Sequence, residues 1–117
     1  MKAIAPGEGT VELVVDEGHT SQLGTVHGGV LCDIADAAIG MAYASTLEEG
    51  ETFTTLELKI NFLRPVRQGR LLAHARVVSA GRTVGLVECD ITDERSRLVA
   101  RAASTCMTLR GVQALDR

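Results

Sequence analysis

Only one stretch of this chain has helical period, Gly29 to about Thr46, and everything after it reads as strand. Within that stretch Val30, Ile34, Ala37 or Ala38, Met41 and Ser45 recur at the three-to-four spacing of one helix face. Leu47-Glu48-Glu49-Gly50 ends it. Its residues are small: Ala35, Ala37, Ala38, Gly40, Ala42, Ala44 and Ser45 leave little bulk around the cylinder, so neighbours can approach on several sides. An ordinary Ala-rich core helix would have the same composition. A helix wrapped by a sheet and touching a partner helix also accounts for the all-strand remainder, and we expect that arrangement.

Thr10 to Val15 is a short β-rich run closed by Asp16-Glu17-Gly18, and His19 to Gly29 reads as a structured loop broken at Ser21, Gly24, Gly28 and Gly29. From Thr52 to Leu63 the residues Phe53, Thr55, Glu57, Lys59 and Asn61 alternate against Leu56, Leu58, Ile60 and Phe62. Arg64-Pro65 and Gln68-Gly69 break that run. Three more β-runs follow, Leu71 to Ser79, Thr83 to Thr92 and Leu98 to Leu109, separated by Ala80-Gly81-Arg82 and Asp93-Glu94-Arg95 turns. The order β-α-β-β-β-β predicts an α+β fold, an antiparallel sheet curled around one long central helix. With no repeat and no composition shift between Gly9 and Leu109, residues 1–117 read as a single domain, its core about 9–110 and both ends loose.

Composition narrows the function classes. At 45% hydrophobic and 23% charged the chain is globular rather than disordered, and its net charge of -3 offers no basic footprint for nucleic acid. With no Trp, two Phe and one Tyr, the core must come from Val, Leu, Ile and Ala, so a chain of this length is expected to bury more apolar surface by self-association. Cys32, Cys89 and Cys106 are odd in number and far apart, which points to reduced thiols and a cytoplasmic location rather than disulfides or zinc. No membrane span and no export signal is read.

The loop His27-Gly28-Gly29 runs directly into the helix, so the Gly28 and Gly29 amides fall among the unpaired N–H groups of its first turn. Those amides and the helix dipole can hold a negative oxygen, although a plain tight turn would use the same glycines. Two carboxylates follow. Asp33 sits where the dipole already favours it, whereas Asp36 lies past the first turn between Ala35 and Ala37, an acid expected to be enclosed by apolar neighbours and therefore put to use. Gly28 and Asp36 are about 12 Å apart along one helix, at 1.5 Å per residue. They cannot reach one carbonyl carbon from the same chain, so a site using both needs two chains with antiparallel helices.

His27-Gly28-Gly29, Asp36 nine residues after the histidine, and the strand Thr55-Leu56-Glu57-Leu58-Lys59-Ile60-Asn61-Phe62-Leu63-Arg64-Pro65 together resemble the PaaI-type hotdog-fold acyl-CoA thioesterases. The likeness runs in order from the first strand to about Leu109. It implies a hotdog fold whose protomers pair into one continuous sheet with two active sites at the interface, such dimers commonly pairing again into tetramers. It further implies Asp36 as nucleophile or general base, the Gly28 amide as donor to the thioester oxygen, His27 beside the thioester, and Thr55 as the small hydroxyl near the carboxylate. Coenzyme A enters as part of the substrate, and no cofactor or metal is implied.

One position departs from the pattern. Six residues before the histidine the family usually carries Asn or Gln, and here Ser21 stands there with Gln22 beside it, so either side chain is a candidate for that polar contact. For the phosphates of coenzyme A the candidates are the basic groups at strand ends, Lys59, Arg64, Arg67, Arg70 and Arg82, with Arg64 and Arg82 first, and Gly29 is a further substrate-binding candidate; any one of the basic residues could equally be a solvated turn residue. His19 and His74 have no ligand-spaced acid or cysteine and read as structural or exposed, and Met41 and Tyr43 as wall or core residues. Ser45 and Ser104 lie outside any nucleophile elbow, which argues against a Ser-His-Asp hydrolase. A non-catalytic acyl-CoA-binding hotdog module is the alternative. A hotdog hydratase ranks third, since prolines occur only at Pro6 and Pro65.

Overall fold

The computed structural model describes residues 5–115, and all structural statements concern these. The expected looseness of both ends falls in part on 1–4 and 116–117, outside the described residues. The elements are β1 (Glu8–Val15), a 3-10 turn (Glu17–His19), α1 (Gly28–Ala44), β2 (Thr52–Phe62), β3 (Gly69–Ala80), β4 (Val84–Thr92), β5 (Leu98–Leu109) and a short α2 (Val112–Leu115). All pairings are antiparallel, in the spatial order β1-β3-β4-β5-β2. This is the expected hotdog: one sheet, with a single long helix lying on it.

Alternation builds the sheet's inner face. Leu71, Ala73 and Ala75 of β3, Val87, Cys89 and Ile91 of β4, and Ala100, Ala102 and Cys106 of β5 are buried. The small residues there let the helix sit close. On α1 the buried set is Leu31, Ile34, Ala35, Ala38, Ile39, Ala42 and Tyr43, which rotates the face expected from Val30, Met41 and Ser45; those three are only half-buried at its flank. Ala fits either side of a helix, so the longer Leu31, Ile39 and Tyr43 decide which side goes inward.

Two glycines set the closeness of that packing. A Cβ on Gly9 would lie 2.4 Å from the Ala38 carbonyl oxygen, so β1 can carry no side chain where the helix crosses it. A Cβ on Gly85 would lie 2.6 Å from the Tyr43 ring, which is itself fixed by a 2.7 Å hydrogen bond between its hydroxyl and that of Thr108. The helix is therefore clamped at its C-terminal half. On the outer face of the sheet Asp90 accepts from Arg101 at 2.7 Å, and that guanidinium holds its carboxyl below the usual carboxylate range. His74 meets Glu8 at 2.8 Å, a structural pairing that agrees with its expected role.

The period-two reading of β2 needs a correction. Its register shifts between Thr55 and Glu57, so Thr55 opposes Cys106 while Glu57 opposes Thr105 and Leu58 opposes Ser104. Phe53 and Thr55 thus share the helix side with Leu58, Ile60 and Phe62 instead of the opposite one. Among the described residues no helix is long and apolar enough to cross a membrane.

Candidate active site

Helix α1 presents Gly28 and Asp36 along its flank beside the edge strand β2. Its N-cap is His27, exposed, with extended backbone and no side-chain capping bond. Gly28 and Gly29 open the first turn, where amides have no carbonyl one turn back and lie at the positive end of the dipole. A Cβ on Gly28 would come within 2.9 Å of the tip of the exposed Phe62 ring, so a side chain there would push that ring aside from the helix start. Around them Thr25, Val26, Leu31, Leu63 and Arg64 line a groove of about 520 Å³.

Asp36 occupies a second groove of about 510 Å³ with Cys32, Asp33, Thr54, Thr55 and Leu58. Asp33 and Asp36 are both exposed, which corrects the expectation of an acid enclosed by apolar neighbours. Of the two flanking alanines only Ala35 turns toward the sheet; Ala37 is exposed beside Asp36. The helix is unbroken from Gly28 to Ala44, so the roughly 12 Å between Gly28 and Asp36 stands, and the two lie in different grooves.

The remaining candidates scatter. Ser21 is committed to its own loop, its hydroxyl accepting from the Leu23 amide at 3.2 Å, and Gln22 is exposed; neither lines the groove of Asp36 or that of Gly28. Arg64 stands beside Gly28, whereas Arg82 is at the β3–β4 turn near the other end of the helix, its carbonyl accepting from Arg110. Lys59 is exposed on β2, opposite Ala103. His19 takes the Asp16 amide on Nδ1 at 2.9 Å, a structural role.

Sequence reasoning missed Cys32, Thr54 and Phe62. Cys32 precedes Asp36 by one turn, so helix periodicity alone could have found it. Phe62 is invisible to spacing, because its role comes from the ring lying over Gly28. Burial pushes the Cys106 thiol up, the nearby Asp36 charge adds to that, and the Ser104 and Thr55 side chains oppose it. Cys89, buried in the sheet beside Asp90, is pushed up to about 12. Among the described residues no group of three or more His, Cys, Asp or Glu gathers to hold a metal.

One long helix laid on a five-stranded antiparallel sheet is the hotdog architecture shared with solved thioesterases. The chain belongs to the thioesterase superfamily, whose family model matches residues 23–100, and within it to the PaaI-like proteins. A thioesterase from Haemophilus influenzae superimposes with a TM-score of 0.88 at 29% identity, over 93% of this chain and 76% of that one. The PaaI protein of the phenylacetic acid degradation operon of E. coli gives 0.84 at 26% identity, over 91% of this chain and 75% of that one. Human acyl-coenzyme A thioesterase 13 is 30% identical over 103 residues, 86% of this chain and 73% of that protein. The chain is thus an enzyme of thioester hydrolysis, which sets aside the binding-module alternative.

Proposed function

We propose that the chain hydrolyses an acyl-CoA thioester at sites shared by two protomers, Asp36 coming from one and the Gly28 amide from the other. The observation that carries this is the separation of Gly28 and Asp36 on one continuous helix. Two further features support a second copy. Strand β2 is an edge of the sheet, with Leu56 at 55% and Phe62 at 54% exposure, and an edge strand is a template for another strand. The outward side of α1 carries Gly29, Ala37, Gly40 and Ala44, small enough for a partner helix to come near. Dimers of this kind pair again into tetramers.

In this reading the Gly28 amide donates to the thioester oxygen and stabilises the negative charge that grows there as the carbonyl carbon becomes tetrahedral. Asp36 either attacks that carbon, expelling the CoA thiolate and leaving an anhydride that water opens, or takes a proton from the attacking water. Thr55 orients the carboxylate or the water, and His27 sits beside the sulfur. Arg64 is placed to meet a phosphate near Gly28. No cofactor takes part, coenzyme A being the leaving group. Three free thiols, two of them buried, fit a reducing, cytoplasmic setting.

The test is thiol release from phenylacetyl-, benzoyl-, hydroxybenzoyl- and fatty acyl-CoA by wild type and Asp36→Ala. Wild-type turnover that survives the substitution on every substrate overturns the role of Asp36. Gly28→Pro removes the amide hydrogen while suiting the first helical position, and is expected to cost about a hundredfold, with Gly28→Ala as the steric control. Co-refolding Asp36→Ala with Gly28→Pro should restore about a quarter of wild-type activity, because half the dimers then carry one intact site of two. No recovery in mixed dimers sinks the shared site.

A further inference from the structure

Strand β2 changes face once, and it does so beside the acid. Up to Thr55 its odd residues face the helix, Phe53 against Tyr43 with ring centroids 5.4 Å apart and Thr55 opposite buried Cys106. Beyond Glu57 the even residues do, Leu58 opposite buried Ser104 and Ile60 opposite buried Ala102. The bulge at Leu56 and Glu57 makes the switch, and both of its residues are exposed. Bulges re-aim side chains and interrupt the ladder, so a backbone group freed there needs another partner.

Here the partner is a side chain. The Ser104 hydroxyl, on a residue only 1% exposed, donates to the Glu57 carbonyl at 2.7 Å. The same oxygen lies 3.8 Å from Cys106 Sγ, and that thiol is also in hydrogen-bonding contact with the Thr55 side chain and within reach of the Asp36 charge. On the inner face of β5 the neighbouring positions are Ala100, Ala102 and Cys106, with Thr108 beyond them already bonded to Tyr43, so Ser104 is the hydroxyl of that row left for the bulge. That oxygen is spent on the bulge.

We propose that Ser104 is a positioning residue for thioester hydrolysis, holding the Glu57 carbonyl of the bulge so that Thr55 is set in the groove opposite Asp36. It touches no substrate and acts through Thr55. The inference rests on the reading of Asp36 as the working carboxylate.

The experiment compares kcat and KM of Ser104→Ala, Ser104→Thr, Thr55→Ala, the Ser104→Ala/Thr55→Ala double variant and Asp36→Ala. The substrate is the acyl-CoA of the above panel that wild type turns over fastest, and folding is checked by circular dichroism. Ser104→Ala is expected to lower kcat about tenfold with KM within about twofold, Ser104→Thr to recover most of it, and the double variant to be no slower than Thr55→Ala. If Ser104→Ala does not fold, Ser104→Cys replaces it, its weaker donor giving a kcat between those of Ser and a fully lost bond. Unchanged kcat, a loss that multiplies with that of Thr55→Ala, or a loss that Ser104→Thr fails to recover overturns the inference. Turnover that survives Asp36→Ala overturns the reading of Asp36 instead, while an inactive Asp36→Ala beside a fully active Ser104→Ala overturns the role of Ser104 alone.

Discussion

The two sides of helix α1 do opposite things. Toward the sheet, Ile39, Ala42 and Tyr43 are sealed against strands so close that Gly9 and Gly85 tolerate no side chain. Away from it, Asp33, Asp36 and Ala37 are exposed and the packing is open. One helix thus packs tightly on one side and, in the function proposed above, carries the chemistry on the other, so substitutions on the two sides should separate cleanly.

The largest expected effect is on the open side. Asp36→Ala should lower turnover by about a thousandfold and shift the melting temperature by no more than about 2 °C, read by thiol release and calorimetry on one preparation. A large fall in stability would break the separation. On the closed side Ile39→Ala leaves a cavity under the helix and should cost about 3 kcal/mol in urea unfolding, with kcat of the folded enzyme unchanged at low temperature. Tyr43→Phe is smaller, about 1–2 kcal/mol, since it leaves the buried Thr108 hydroxyl without its partner. Equal stability of the two proteins would mean that the hydroxyl pair contributes nothing to the clamp.

The smallest effect lies on the sheet's outer face. Arg101 lowers the Asp90 carboxyl in the folded chain, so the pair stabilises above the unfolded carboxylate pKa of about 4 and the gain is lost as pH falls through the folded value. Arg101→Gln should therefore lower stability slightly near pH 7, and the difference from wild type should shrink toward pH 3. A constant difference across that range would remove the ion pair as its cause.

The sequence made the meander legible. β5 runs from Leu98 to Leu109 as its pattern predicts, and the turns at Gly81 and Glu94 fall where polar residues interrupt the alternation. β1 begins earlier than its pattern, at Glu8, because Gly9 reads as a breaker until the helix packed against it is seen. The 3-10 turn rests on Asp16 accepting from Gly18, a local bond that apolar periodicity does not register. Asp36 and Gly28 could be picked out from spacing, but the exposure of Asp36 could not, since Ala35 and Ala37 look alike in sequence and only one is buried. The bulge in β2 was hidden for a related reason: Leu56 is as apolar as Leu58, yet it faces outward.

The strand order has a consequence for how the chain is made. The three central strands, β3, β4 and β5, come from residues 69–109, whereas both edges, β1 and β2, come from the first 62 residues. As the polypeptide leaves the ribosome, its first half emerges with strands that have nothing to pair with and a helix that has nothing to lie on. β2 must wait for β5, which is synthesised after β3 and β4, and that long-range closure is the slow kind. Asp36 and Gly28 are thus translated early and put in place late, so the groove that holds Asp36 against β2 is complete only once β5 is out.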